Sequence, residues 1–172
     1  MVAAPCQNLG FLSVFQEQNG YLGGYLVTNS WGRPLEFRLS SAVAPNKVQQ
    51  ILYGDTLPGY LCGEVIGKTL IDKTPTAVGI VLTDNPNVLE LRRHIEQPVA
   101  LWHCLVEPDA STPGLEVAPR LFCHPQFPAD AAAIRELLEK QAGLEFHEPF
   151  SRIREAMGEA RKLGVTTRSA AA

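Results

Sequence analysis

The stretch FQEQNGYLGGYLVTN, from Phe15 to Asn29, holds a carboxylate, Glu17, between an apolar run and a second run opened by glycines. A carboxylate there has two readings: a ligand for a hard divalent cation, or a surface group beside a hairpin. Softer donors stand further on as His103-Cys104 and Cys123-His124. Adjacent strand residues point to opposite faces, so each pair offers one ligand to a shared zinc site, which Cys62 or His94 would have to complete. Paired-ligand spacing is absent, which favours buried thiols and partly buried histidines. A Cys-His nucleophile pair has no local signature around any cysteine. Gly20, Gly23 and Gly24 suggest a phosphate cradle, yet no P-loop lysine and no helix follow them, and a tight hairpin accounts for them better. Near the C-terminus Arg152, Arg154, Arg161, Lys162 and Arg168 outnumber Glu148, Glu155 and Glu159. That excess reads as a contact surface for nucleic-acid phosphates or an acidic protein, or as the solvated face of a helix.

These groups are carried on a chain of 172 residues, 45% hydrophobic and 19% charged, which is the composition of a globular domain with a sizeable core. A net charge of −3 supplies no global attraction to nucleic acid, so any such binding needs a local patch. No run approaches the roughly 18 apolar residues of a membrane helix, and the N-terminus lacks a secretory pattern. The expectation is a cytoplasmic chain with no membrane partner. Its four cysteines, Cys6, Cys62, Cys104 and Cys123, are expected to be reduced.

Periodicity places the elements. Leu9 to Gln18 reads as a strand, Asn19-Gly20 as a tight turn and Tyr21 to Thr28 as a second strand. Leu35, Phe37 and Leu39 alternate with polar residues, giving a half-buried third strand. Pro45, Val48, Ile51 and Leu52 fit a helix ending at Gly54, and Asp55 to Gly59 breaks the chain before a second helical pattern from Tyr60 to Asp72. Ala77 to Leu82 and Val99 to Val106 are apolar strands flanking a helix from Asn87 to Ile95. Residues 107–128 read as a long proline-rich connection enclosing a short strand at Arg120-Leu-Phe-Cys. Asp130 caps a helix to Ala142 closed by Gly143, and a last helix from Pro149 or Ser151 to Gly164 carries Phe150, Ile153, Met157 and Ala160 on one side. The expected organisation is a tail at 1–8, one α/β domain over 9–165 (core 9–106, connection 107–128, C-terminal helices 130–164) and a frayed end at 166–172.

The resulting order, β-β-β-α-β-α-β followed by two C-terminal helices, resembles the ribonuclease H-like fold, a single mixed sheet. Val14-Phe15-Gln16-Glu17 looks like that family's first strand, which ends in a catalytic aspartate, and Gly23-Gly24-Tyr25 resembles its glycine-opened second strand. Ala44-Pro45-Asn46-Lys47-Val48-Gln49 sits where the family enters its first helix and places a catalytic glutamate. Leu82-Thr83-Asp84-Asn85 resembles the fourth-strand end, where a second aspartate is held. The similarity runs from Leu9 to Val106. By this resemblance Glu17 and Asp84 are the candidate metal ligands for Mg²⁺ or Mn²⁺ and Gln49 takes the place of the catalytic glutamate; Glu64 is the candidate to stand in for that missing carboxylate, provided the helix from Tyr60 runs past the strand ends.

Two departures bear on function. Glu17 stands in place of aspartate, and Gln49 replaces the glutamate with a neutral amide. The family's enzymes use two cations about 3.5–4 Å apart, held mainly by carboxylates. Outside the resemblance, Asp84 reads as a helix N-cap and Glu64 as a solvated helix face. Three functions follow: a binding or interaction module with a degenerate metal site, partnered by protein or nucleic acid in a larger assembly; an active divalent-metal-dependent nuclease using Glu17, Asp84 and Glu64; or a purely structural partner subunit.

Overall fold

The structure, a computed structural model, describes residues 8–18, 20–103, 114–141, 143 and 145–164. Apolar runs build three antiparallel strands, β1 (Leu9–Glu17), β2 (Gly20–Thr28) and β3 (Pro34–Leu39). Strands β4 (Ile80–Thr83) and β5 (Val99–Trp102) run parallel to β1, beyond which come β6 (Leu115–Ala118) and β7 (Leu121–Cys123). One seven-stranded mixed sheet results, in the order β3-β2-β1-β4-β5-β7-β6. The chain is a mixed α/β fold built on this single sheet.

Four sequence expectations are corrected. Helix α1 (Lys47–Tyr53) ends at Gly54 as expected, but Asp55 to Gly59 does not break the helical path. The path stays helical through a 3-10 turn (Gly54–Thr56), an α-turn (Leu57–Gly59), a π-helix (Tyr60–Lys68) and a final α-turn (Thr69–Asp72). Pro58 falls in the first turn of a new helical segment, where its missing N–H breaks no bond. The helix after β4 is a 3-10 helix (Pro86–Arg93), and its N-cap is Asn85, which accepts from the Asn87 N–H at 2.9 Å, rather than Asp84. The connection before Pro128 holds the expected short strand, as β7, but pairs it with an unexpected one, β6, so it extends the sheet; β6 is only four residues long and gives almost no period to read. Asp130 caps nothing: it is buried in helix α2 (Asp130–Glu139), where it accepts from Arg92 Nε at 2.6 Å. The expected continuation of β5 to Val106 and the turn residue Asn19 lie outside the described residues.

Strand parity divides the core into two layers. Leu9 and Phe11 of β1, Leu22 and Leu26 of β2, and Ile80 and Leu82 of β4 face α2 and helix α3 (His147–Lys162). Leu12 and Val14, Tyr25 and Val27, and Val81 face the π-helix and the 3-10 helix. Helix α3 presses Phe150, Ile153 and Met157, all at or below 1% exposure, onto the first layer. Gly24 makes that approach possible, because a Cβ there would lie 2.7 Å from Ile153 Cγ2 and 2.8 Å from Met157 Sδ. Gly23, of opposite parity, similarly admits Ile66 of the π-helix. The two glycines read as a phosphate signal or hairpin are thus the places where helices from both layers touch the sheet. We predict that Gly24→Ala, despite a better strand propensity, costs about 1–3 kcal/mol through overpacking against α3. Urea unfolding monitored by circular dichroism measures it; unchanged stability contradicts the packing account.

Candidate acidic site at the strand ends

Parity and register bring a specific set of polar groups under α3. Odd-numbered β1 residues and even-numbered β4 residues face this helix, so Ser13, Glu17 and Asp84 share one side of the sheet. The register Leu12↔Thr83 sets Ser13 beside Asp84, and Ser13 Oγ donates to Asp84 Oδ1 at 2.9 Å. Asn85 fixes the chain as it leaves β4, donating from Nδ2 to the Val14 carbonyl at 2.7 Å and from its N–H to Thr83 Oγ1 at 3.1 Å. From above, Arg154 Nη2 donates to Asp84 Oδ2. One step along the same helix face, Arg161 grips both carboxylate oxygens of Glu17 through its two terminal nitrogens. The two arginines are seven positions apart, two turns and about 10 Å of helix rise, which keeps them on one stripe.

The two carboxylates do not converge. Glu17 lies four positions beyond Ser13 on β1, so it is about 13 Å further along the strand than the point where Asp84 sits. Two-cation hydrolysis needs metals about 3.5–4 Å apart with carboxylates bridging or flanking both. Each acid instead has its own guanidinium, and the Asp84 side chain is only 8% exposed. Burial raises the Asp84 carboxyl above its usual range, against the opposing pull of Arg154 and Ser13.

The remaining candidates are elsewhere. Gln49 closes a capping box at the start of α1: its Oε1 accepts from the Asn46 N–H at 3.0 Å and its N–H donates to Asn46 Oδ1 at 2.8 Å. Its amide is a helix cap in this structure. Glu64 lies on the π-helix, in the layer on the other face of the sheet, 3.9 Å from His94. Arg152 donates to the Gly32 carbonyl at 2.8 Å and pairs with Glu148, while Lys162 pairs with Glu159 at 2.9 Å. Among the described residues Arg152, Arg154, Arg161 and Lys162 are thus each answered within the chain, while Arg168 lies outside the described residues.

Among the described residues no three His, Cys, Asp or Glu side chains gather as a metal-binding group. The donors at the strand end, one paired carboxylate and a serine hydroxyl beside a guanidinium, do not fit Mg²⁺ or Mn²⁺. Cys123 is buried with its thiol raised by burial, and His124 approaches Glu90 at 3.4 Å. Burial pushes the Cys62 thiol up to about 12, which removes it as a nucleophile. Cys6 and Cys104 lie outside the described residues. Sequence reasoning missed Ser13, whose signal was a lone hydroxyl in the apolar run from Leu9 to Phe15, and the seven-residue spacing of Arg154 and Arg161.

Comparison with solved structures finds similarity to an endonuclease V from Bacillus subtilis, with a TM-score of 0.40 and 13% identity. The match covers 64% of this chain and 52% of that one, so it spans about half the length of that protein. No family model matches the chain, and no curated protein matches it.

Two predictions follow from the arginine contacts. At pH 7 Arg154→Ala should cost about 1–3 kcal/mol, since it leaves a buried carboxylate without its cation, whereas Arg161→Ala should cost less than about 1 kcal/mol at its more exposed pair. Equal losses in urea unfolding would contradict the difference in burial. The second concerns pH. The folded Asp84 carboxyl titrates above its ordinary 3.8, so the folded chain holds this proton to higher pH than the unfolded chain. Its contribution is fully present below that ordinary value and is lost as pH rises through the folded one. The stability of the wild type relative to Asp84→Asn should fall on going upward from about pH 4; a rise would reverse the sign of the account.

Proposed function

We propose that this chain is a ribonuclease H-like α/β domain that works by binding rather than by metal-dependent cleavage, as an interaction module of a larger assembly with a protein as its partner. One observation carries the reading: Asp84 and Glu17 are held apart by strand register and each is answered by an arginine of α3. A cation would have to displace a guanidinium at either acid, and would gain a single carboxylate by doing so. Gln49, an amide in the place where the resemblance implies a carboxylate, supports the same conclusion. The tail cations favour a protein over nucleic acid as partner, because Arg154, Arg161, Arg152 and Lys162 are all engaged with acidic or carbonyl groups of the chain itself.

The test is Mn²⁺ titration calorimetry on the wild-type chain and on Asp84→Asn. The expected result is no saturable binding to either at millimolar metal. Saturable binding to the wild type that disappears in Asp84→Asn would restore a metal centre at the strand end and overturn the proposal.

A further inference from the structure

On the other face of the sheet from α3 an open cleft of about 670 Å³ lies between the π-helix, the 3-10 helix and the loop after β7. Its walls meet closely because of Gly59 and Gly63. A Cβ on Gly63 would lie 2.8 Å from the Leu91 backbone nitrogen, and one on Gly59 would lie 2.9 Å from Glu90 Cγ. That approach sets Tyr60 and Glu64 of one helix opposite Glu90, Arg93 and His94 of the other. A cleft of this volume with a few placed polar groups has the form of a ligand site.

Its free charge is negative. Arg93 is committed to Gln126 Oε1, at 3.0 Å from Nε and 2.6 Å from Nη2, and lies 3.4 Å from Glu90. His124 is committed at both ring nitrogens: Nδ1 accepts from the Gln126 N–H at 3.1 Å, which leaves Nε2 to carry the hydrogen facing Glu90. Asp55 pairs with no cation among the described residues, and the nearest cationic candidate for Glu64 is His94 at 3.9 Å. Beside these carboxylates the rings of Tyr53 and Tyr60 stack with centroids 4.3 Å apart and planes 17° from parallel. Unanswered carboxylates next to tyrosine faces attract an organic cation and repel phosphate.

A second observation extends the site. Helix α1, which ends at Tyr53, buries none of its residues, and Val48, Ile51 and Leu52 on it are 62%, 68% and 76% exposed. Their i, i+3, i+4 spacing makes one apolar stripe on the helix whose last residue, Tyr53, lines the cleft. Exposed apolar surface rimmed by polar groups marks interaction sites. We propose that the cleft receives an arginine or lysine side chain from an amphipathic segment of a partner protein, whose apolar residues cover Val48, Ile51 and Leu52. This rests on the reading of the chain as an interaction module and names where, and with what chemistry, the partner docks.

Fluorescence anisotropy on the full chain tests it, using a labelled twelve-residue peptide of alternating leucine and arginine and a control with glutamate in place of arginine. The expected result is saturable binding of the arginine peptide and none of the control. Affinity should fall about tenfold or more in Asp55→Asn/Glu64→Gln and likewise in Ile51→Ser/Leu52→Ser, all at residues outside the core. Equal binding of both peptides, no binding of either, or binding unaffected by both double variants overturns the proposal. So does a self-associated chain in sedimentation whose association is lost in Ile51→Ser/Leu52→Ser, because a second copy would then hold the stripe. Failure here without Mn²⁺ binding removes the cleft proposal and leaves the module reading intact. Saturable Mn²⁺ binding removes the module reading whatever the peptides do.

Discussion

The seating of Arg154 and Arg161 on Asp84 and Glu17 is the contact on which the functional reading of this fold depends. A helix offers two arginines seven residues apart, and a sheet offers two carboxylates separated by about the same distance along β1 and at the end of β4. The guanidinium geometry suits this pairing, since its fork reaches both oxygens of a carboxylate, as Arg161 does with Glu17. The result turns a strand-end edge, where α/β sheets commonly place a ligand, into a surface closed by the protein's own helix.

That closure requires α3 to lie against the sheet, and the apolar contacts provide it. Phe150, Ile153 and Met157 are fully buried against Phe11, Leu22 and Leu26, and the missing side chain of Gly24 lets them descend. Phe150 meets Phe11 edge to face at 5.6 Å, adding a directional contact to the burial. The polar pairs then specify how the seated helix is aligned along the strands; their own net contribution is small at Glu17 and larger at the buried Asp84. Displacing α3 to open the acidic edge would expose this whole apolar face, so the edge is a structural seam more than a gate.

Much of the architecture was legible in the sequence because the relevant signals were local and long. The apolar runs of Leu9 to Thr28, Ala77 and Val99 marked strands covered on both faces, and the periodic spacing of Phe150, Ile153 and Met157 reported the helix face that is buried. What escaped was of two kinds. Short elements such as β6 carry too few residues to show a period, and the helical path across Asp55 to Gly59 is dictated by tertiary packing over turn-forming composition. The acidic site was only half legible. Glu17 and Asp84 were identifiable as strand-end carboxylates, but their separation is a matter of register between β1 and β4, and their arginine partners come from more than sixty residues away in the chain. Val48, Ile51 and Leu52 showed a helical stripe without revealing that it faces water.

A double-mutant cycle between Arg154 and Asp84, using Arg154→Ala, Asp84→Asn and the combined variant in urea unfolding at pH 7, measures the central contact most directly. If α3 seats its guanidinium on the buried carboxylate, the cycle should return a coupling of about 1–3 kcal/mol, as groups in direct contact do. Additive losses would mean that the helix does not close this edge, and that Asp84 stands open to a cation or substrate.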